Sequence, residues 1–206
     1  MSAMTLAEQE RGEFADFLDS LTPQQWEAPT LCSQWSVRDV VAHVVSYEGL
    51  GAAGLVQRFV KGRLLPDRVN AVGVAELRSR TPEELVGLLR EHTTPSGLTG
   101  AFGGRIALVD GLIHHQDIRR PLGWARDVPA ERLRTALPFA LTAPTIRGLW
   151  HVRGVRLAAT DLDWSAGKGL EARGPGEALL MAIAGRRGVA HELTGPGAKV
   201  LADRLS

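Results

Sequence analysis

The chain has 206 residues, 44% of them apolar, which suits one large domain, or one medium domain with an appendage, around a sizeable core. A formal net charge of +1 gives no electrostatic reason to expect nucleic acid or a membrane surface as a partner. A single cysteine, Cys32, excludes a disulfide framework and a cysteine-based zinc knuckle.

The opening stretch MSAMTLAEQERGEF is acidic and polar, unlike a signal peptide, and no run of about 18 apolar residues follows. The expectation is a soluble cytoplasmic protein. Residues 5–21 read as a helix with Thr5 as N-cap and Glu8 three places on. Pro23 and Pro29 mark the following stretch as a loop with a short helical turn. Ser36 and Asp39 form a capping box for the next helix, where Val37, Val40, Val41, Val44 and Val45 make one apolar stripe. Residues 50–65 continue as a helix broken near Gly49, Gly51 and Gly54, and 66–80 are helical towards their end. Thr81, Pro82 and Glu84 start another helix.

After a Gly-, Ser- and Thr-rich connection, Arg105–Arg120 reads as a helix stopped by Pro121 and Gly123. Residues 128–143 form one more, with Pro138 breaking or kinking it. The pattern then changes: GVRLAATDLDWSAGKGLEARG alternates around a Gly-rich turn and reads as a β-hairpin. PGEALLMAIAGRR is an apolar helix, and GPGAKVLADRL a short terminal one. The layout is a helical bundle over residues 1–143 and a small α+β domain over 144–206, too short to bury a core alone and so docked on the bundle.

The segment DGLIHHQDIRRPLG, residues 110–123, holds the densest chemistry. With Asp110 at zero on a helical wheel, His114 lies about 40° away, Asp117 about 20° to the other side, and His115 roughly 140° away. Asp110, His114 and Asp117 thus share one face, bordered by Ile106 and Ile113. Burying an unpartnered charge there costs several kcal/mol, so a metal, mutual pairing or solvent in a cleft must satisfy the stripe. A carboxylate and an imidazole one turn apart suit a divalent metal, but two protein ligands are too few. His43 is the best third donor; it sits off the valine stripe beside Asp39 and Tyr47, facing solvent or a polar cavity.

Other chemistry fails sooner. The sequence has no H-E-x-x-H, P-loop, G-x-G-x-x-G or G-x-S-x-G. Cys32 has no positive neighbour in the chain and reads as an inert thiol. His92 and His191 read as solvated helix-end residues, and Trp26, Trp35 and Trp150 as structural or pocket-lining.

LTPQQWEAPTLCSQWSVRDVVAHVVSYE resembles the N-terminal signature of the mycothiol-dependent maleylpyruvate isomerase family, within the DinB-like metalloenzyme superfamily. LVDGLIHHQDIRRPLG resembles its second signature, and VRLAATDLDWSAGKGLEARGPGEALLMAIAGR its C-terminal segment. The resemblance implies a mainly α, DinB-like four-helix bundle with an open metal site at one end and a small C-terminal α+β domain. Its metal-binding trio falls on His43, Asp110 and His114, with Asp117 completing the H-x-x-D that follows. Family members carry Glu where this chain has Asp110, one methylene shorter.

The implied cofactors are a divalent metal (zinc first, then nickel, manganese or iron) and mycothiol. The implied partners are that small-molecule thiol and an electrophilic substrate, with no nucleic acid and no membrane, in a monomer or homodimer. The implied activity is cis–trans isomerisation or S-transfer by a metal-activated thiolate. Asp117 would orient His43 or His114. The family's essential C-terminal arginine falls nearest Arg186 or Arg187; Arg119, Arg120 or Arg186 would hold a substrate carboxylate. The alternatives are a non-catalytic metal-binding or regulatory protein of the same fold, and a structural bundle in which Asp110 and His114 pair only with each other.

Overall fold

A computed structural model describes residues 1–205, which form two compact units that divide between Ala125 and Arg126. The break therefore falls at 125/126, not at 143/144. The helix Ala130–Thr142 belongs with the second unit because its buried face, Leu133, Ala136, Leu137 and Ala140, packs there against the helix Gly176–Ile183. Among the described residues, no helix is long and apolar enough to cross a membrane.

In the first unit, α1 spans Ala3–Asp19. Its N-cap is Ser2, whose Oγ accepts from Thr5 N at 3.1 Å; the predicted cap, Thr5, is the donor of that bond and already lies in the first turn. After the one-turn α2 (Pro23–Trp26), α3 runs Val37–Val45 with the Ser36–Asp39 capping box made in both directions. The predicted helix at 50–65 is shorter, α4 (Ala52–Lys61), and the unclear stretch beyond it forms α5 (Pro66–Leu77). α6 (Pro82–Glu91) starts on a complete Thr81–Glu84 box, and α7 spans Arg105–Arg119.

Four of these helices close a ring, in which α1 packs on α6 and α7, and α3 packs on the same two. The valine stripe of α3 fills the middle with Phe14, Phe17, Leu18, Leu85, Leu89 and Ile118, all buried. Each such side chain withdrawn from water contributes about 1.5–3 kcal/mol as an upper bound, which outweighs valine's modest helix propensity. The bundle sets the C-terminal turn of α3 beside the middle of α7, so the two polar faces meet.

In the second unit, α8 (Ala130–Thr142) continues through Pro138 instead of breaking there. Pro138 and Arg134 are both exposed, so the carbonyl deprived of its N–H donor faces water. The short α9 (Gly148–His151) follows. The predicted hairpin is a three-stranded sheet of β1 (Val155–Ala159), β2 (Ser165–Gly167) and β3 (Leu170–Gly174), in the order β2-β1-β3. β2 pairs antiparallel with β1, and β3 pairs parallel on β1's other side. The Gly-rich turn does not join paired strands; it carries the chain around the start of β1. Gly167 and Gly169, at φ +85° and +116°, permit the crossing, since a Cβ on either would collide with the carbonyl oxygen of Val155 or Gly154. α10 (Gly176–Ile183), buried along its length, and α11 (Pro196–Arg204) complete the unit.

Candidate metal centre

α3 and α7 build the cluster. His43 occupies the last turn of α3, and Asp110, His114 and Asp117 lie along one face of α7. The i, i+4 spacing brings His114 Nε2 to 3.5 Å from Asp110 Oδ1, and helix packing brings His43 Nε2 to 3.6 Å from the same oxygen. The imidazole rings of His43 and His114 meet edge to face, centroids 4.9 Å apart. One donor atom from each of His43, Asp110 and His114 lies within 4.8 Å of the others.

That spacing fits a cation. Bonds of 2.0–2.2 Å in a tetrahedral site separate neighbouring donors by about 3.4 Å, close to the distances seen. Two imidazoles and one carboxylate are also the donor number and type of an open, three-ligand zinc site. The imidazoles are buried, whereas Asp110 keeps 32% of its side chain exposed, so the cluster opens to solvent on the carboxylate side.

His114 is held from behind. Its Nδ1 lies 2.9 Å from Oδ2 of the fully buried Asp117, which makes Nδ1 the protonated nitrogen and aims Nε2 at Asp110. Of the two histidines the sequence offered Asp117, His114 is the one it hydrogen-bonds. Burial opposes ionisation of Asp110, but the charges and hydrogen bonds of His114 and His43 overcome it and hold the carboxyl far below the usual range. Burial likewise opposes a charge on His114; Asp110, then Asp117 and Cys32, outweigh it and push the imidazole well above its ordinary value of 6.5.

His115 points elsewhere, as the wheel requires. It is fully buried, stacks on Phe14 at 4.6 Å, bonds Glu10 Oε1 through Nδ1 at 3.0 Å, and accepts from Arg119 Nε at 2.8 Å. Arg119 also lies 4.0 Å over the Phe17 ring, so its guanidinium serves this core network, not the face of the cluster. Arg186 lies in the second unit, past the end of α10, donating to Ala184 O at 3.1 Å. His151 binds Ile183 O, and the backbone carbonyl of His92 accepts from Arg11.

One residue gains a place that sequence reasoning did not give it, and one of the three candidate pocket tryptophans meets the cluster. Cys32 Sγ donates to Asp117 Oδ2 at 3.1 Å and lies 3.9 Å from His114 Nδ1, forming a second close group with those residues. Trp35 lies against His43, centroids 5.0 Å apart. Trp26 is core, and Trp150 is exposed. No local pattern announces Cys32, because its partner stands 85 positions away.

The sequence resemblance is borne out. Residues 7–96 match the family model described as the mycothiol maleylpyruvate isomerase N-terminal domain, a span that includes His43 and ends before α7. The structure is similar to a crystal structure of the mycothiol-dependent maleylpyruvate isomerase, with a TM-score of 0.62 at 17% identity, covering 95% of this chain and 92% of that one. A histidine-to-alanine mutant of that protein gives a TM-score of 0.60 at 16% identity over the same shares. The shared architecture is a mainly α fold with a small C-terminal α+β part. No curated protein matches the sequence at a significant level.

Proposed function

We propose, from this fold and family match, that the protein is a divalent-metal enzyme that uses a low-molecular-weight thiol, mycothiol in the matching family's name, on an electrophilic small molecule. The observation that carries the reading is the meeting of His43, Asp110 and His114 around one point, at distances a zinc ion would need. A divalent cation held there would lower the pKa of a coordinated thiol, so that a thiolate is available at neutral pH. The reaction class is cis–trans isomerisation of an electrophilic alkene, or S-transfer to a related electrophile. A thiol cosubstrate kept reduced belongs in the cytoplasm.

The chain's own residues have separable tasks. With a cation bound in place of the His114 Nε2 proton, His43 and His114 would present neutral nitrogens from a buried wall, and Asp110 an anionic oxygen at the open edge. Asp117 keeps the proton on His114 Nδ1, leaving Nε2 free to ligate. Trp35 shields the flank of His43 from water.

Metal content and turnover test this directly. Protein purified without added metal should hold about one zinc-like ion per chain, and His43→Ala and Asp110→Ala should each lose it, as a three-ligand site requires. The loaded protein should consume or isomerise substrate only when mycothiol is present, assayed with maleylpyruvate and a panel of electrophiles. Substoichiometric metal, unchanged in His43→Ala, would defeat the metal reading. Full metal without turnover on any thiol–electrophile pair would leave a binding protein in its place.

A further inference from the structure

We propose that the loop closed by the Pro29–Ser36 bridge braces both metal-facing imidazoles, and that Cys32 is its positioning residue, acting on His114 through Asp117. The proposal rests on the metal reading above. Three contacts run from this loop to the cluster. Leu31 N donates to the backbone carbonyl of Asp117 at 3.0 Å, tying the loop to α7. Cys32 Sγ–H donates to Asp117 Oδ2 at 3.1 Å, the same oxygen that takes the His114 Nδ1 proton at 2.9 Å. Trp35, three residues on, lies on the ring of His43.

The loop is fixed from inside. Cys32 N donates to Thr30 Oγ1 at 3.1 Å, Thr30 Oγ1 donates to Trp35 O at 2.9 Å, and Trp35 N donates to Cys32 O at 2.8 Å. The thiol and the indole are therefore placed together, one behind each imidazole.

Asp117 is wholly buried, so its carboxylate depends on protein donors for its orientation. With the thiol removed, Oδ2 loses a donor that converges on it with His114 Nδ1, and the carboxylate's aim at the ring loosens. The His114 ring would follow, and Nε2 would lose its aim at the point it shares with Asp110 and His43. Cys32 stands at the Nδ1 edge of the ring, while the cation position lies at the Nε2 edge. Its function is to donate a hydrogen bond, which serine can also do.

The test compares wild type with Cys32→Ala and Cys32→Ser in the full chain, by Co2+ absorption and by Zn2+ competition against a chromophoric chelator. Cys32→Ala should weaken metal binding about 10- to 100-fold and shift the Co2+ visible bands, with Cys32→Ser within about threefold of wild type. Equal affinity in wild type and Cys32→Ala would overturn the proposal, as would Cys32→Ser as weak as Cys32→Ala. A sulfur-to-cobalt charge-transfer band in wild type, absent from both variants, would make Cys32 a ligand and overturn it as well. Wild type that takes up no Co2+ defeats the metal reading and this one together; normal His43-dependent uptake, indifferent to Cys32, defeats only the brace.

Discussion

Asp110 and His114 hold each other in the charged forms, and the two shifts act on stability from opposite sides of the pH scale. Asp110 is depressed from 3.8, so its contribution is full above that value and is lost as pH falls towards its folded pKa. His114 is raised from 6.5, so its contribution is full below that value and is lost as pH climbs through its folded pKa. Both are complete between about pH 4 and 6.5. Thermal melts of the metal-free protein should show its margin over His114→Gln greatest in that window and shrinking on the alkaline side. A margin that grows with pH would contradict the pairing. The division of labour between the adjacent histidines was legible in the sequence, because one helical step of 100° separates their faces whatever the surroundings. The partners of His115 were not, since Glu10 comes from another helix, 105 positions earlier in the chain.

At the level of elements, what was legible is what local chemistry decides. The Ser36–Asp39 and Thr81–Glu84 boxes form as read, because both partners lie within one turn. A hairpin does form within the predicted segment, β1 with β2, but its turn is not the Gly-rich one and a third strand joins it, because alternation reports strands and not their neighbours, and parallel pairing of β1 with β3 is a long-range choice. The glycines held the missing signal: two with positive φ within three residues fit a crossing better than a hairpin turn. Gly169→Ala should lower the stability of the protein by about 2 kcal/mol in urea titrations, since φ +116° and the Gly154 carbonyl both oppose a side chain. Gly12→Ala should act the other way. A Cβ at Gly12, inside α1, meets nothing within 4 Å, and the gain in helix propensity is about 0.5–1 kcal/mol.

For the whole molecule, the division at 125/126 shows why composition misplaced the boundary. The change from helical to alternating pattern falls after α8, but the change of core falls before it. Domain membership follows what a helix packs on, and a helix's own sequence does not state that. The first unit has a closed ring of four helices, its own apolar core and all five residues around the cluster, Cys32 included. A fragment ending at Ala125 should therefore fold with a cooperative transition and bind Zn2+ within about tenfold of the full chain, measured by circular dichroism and chelator competition. A molten fragment without metal affinity would show that the bundle leans on the rest of the chain.

The path of the second unit around β1 has a consequence for incomplete synthesis. Translation that stops between residues 160 and 169 still encodes β1 but omits the strand that covers its parallel flank. Such a product would present a bare row of amides and carbonyls beside Val155 and Leu157, a template for a strand from another copy. Its hazard would be adhesion between nascent chains, over and above the loss of its own activity.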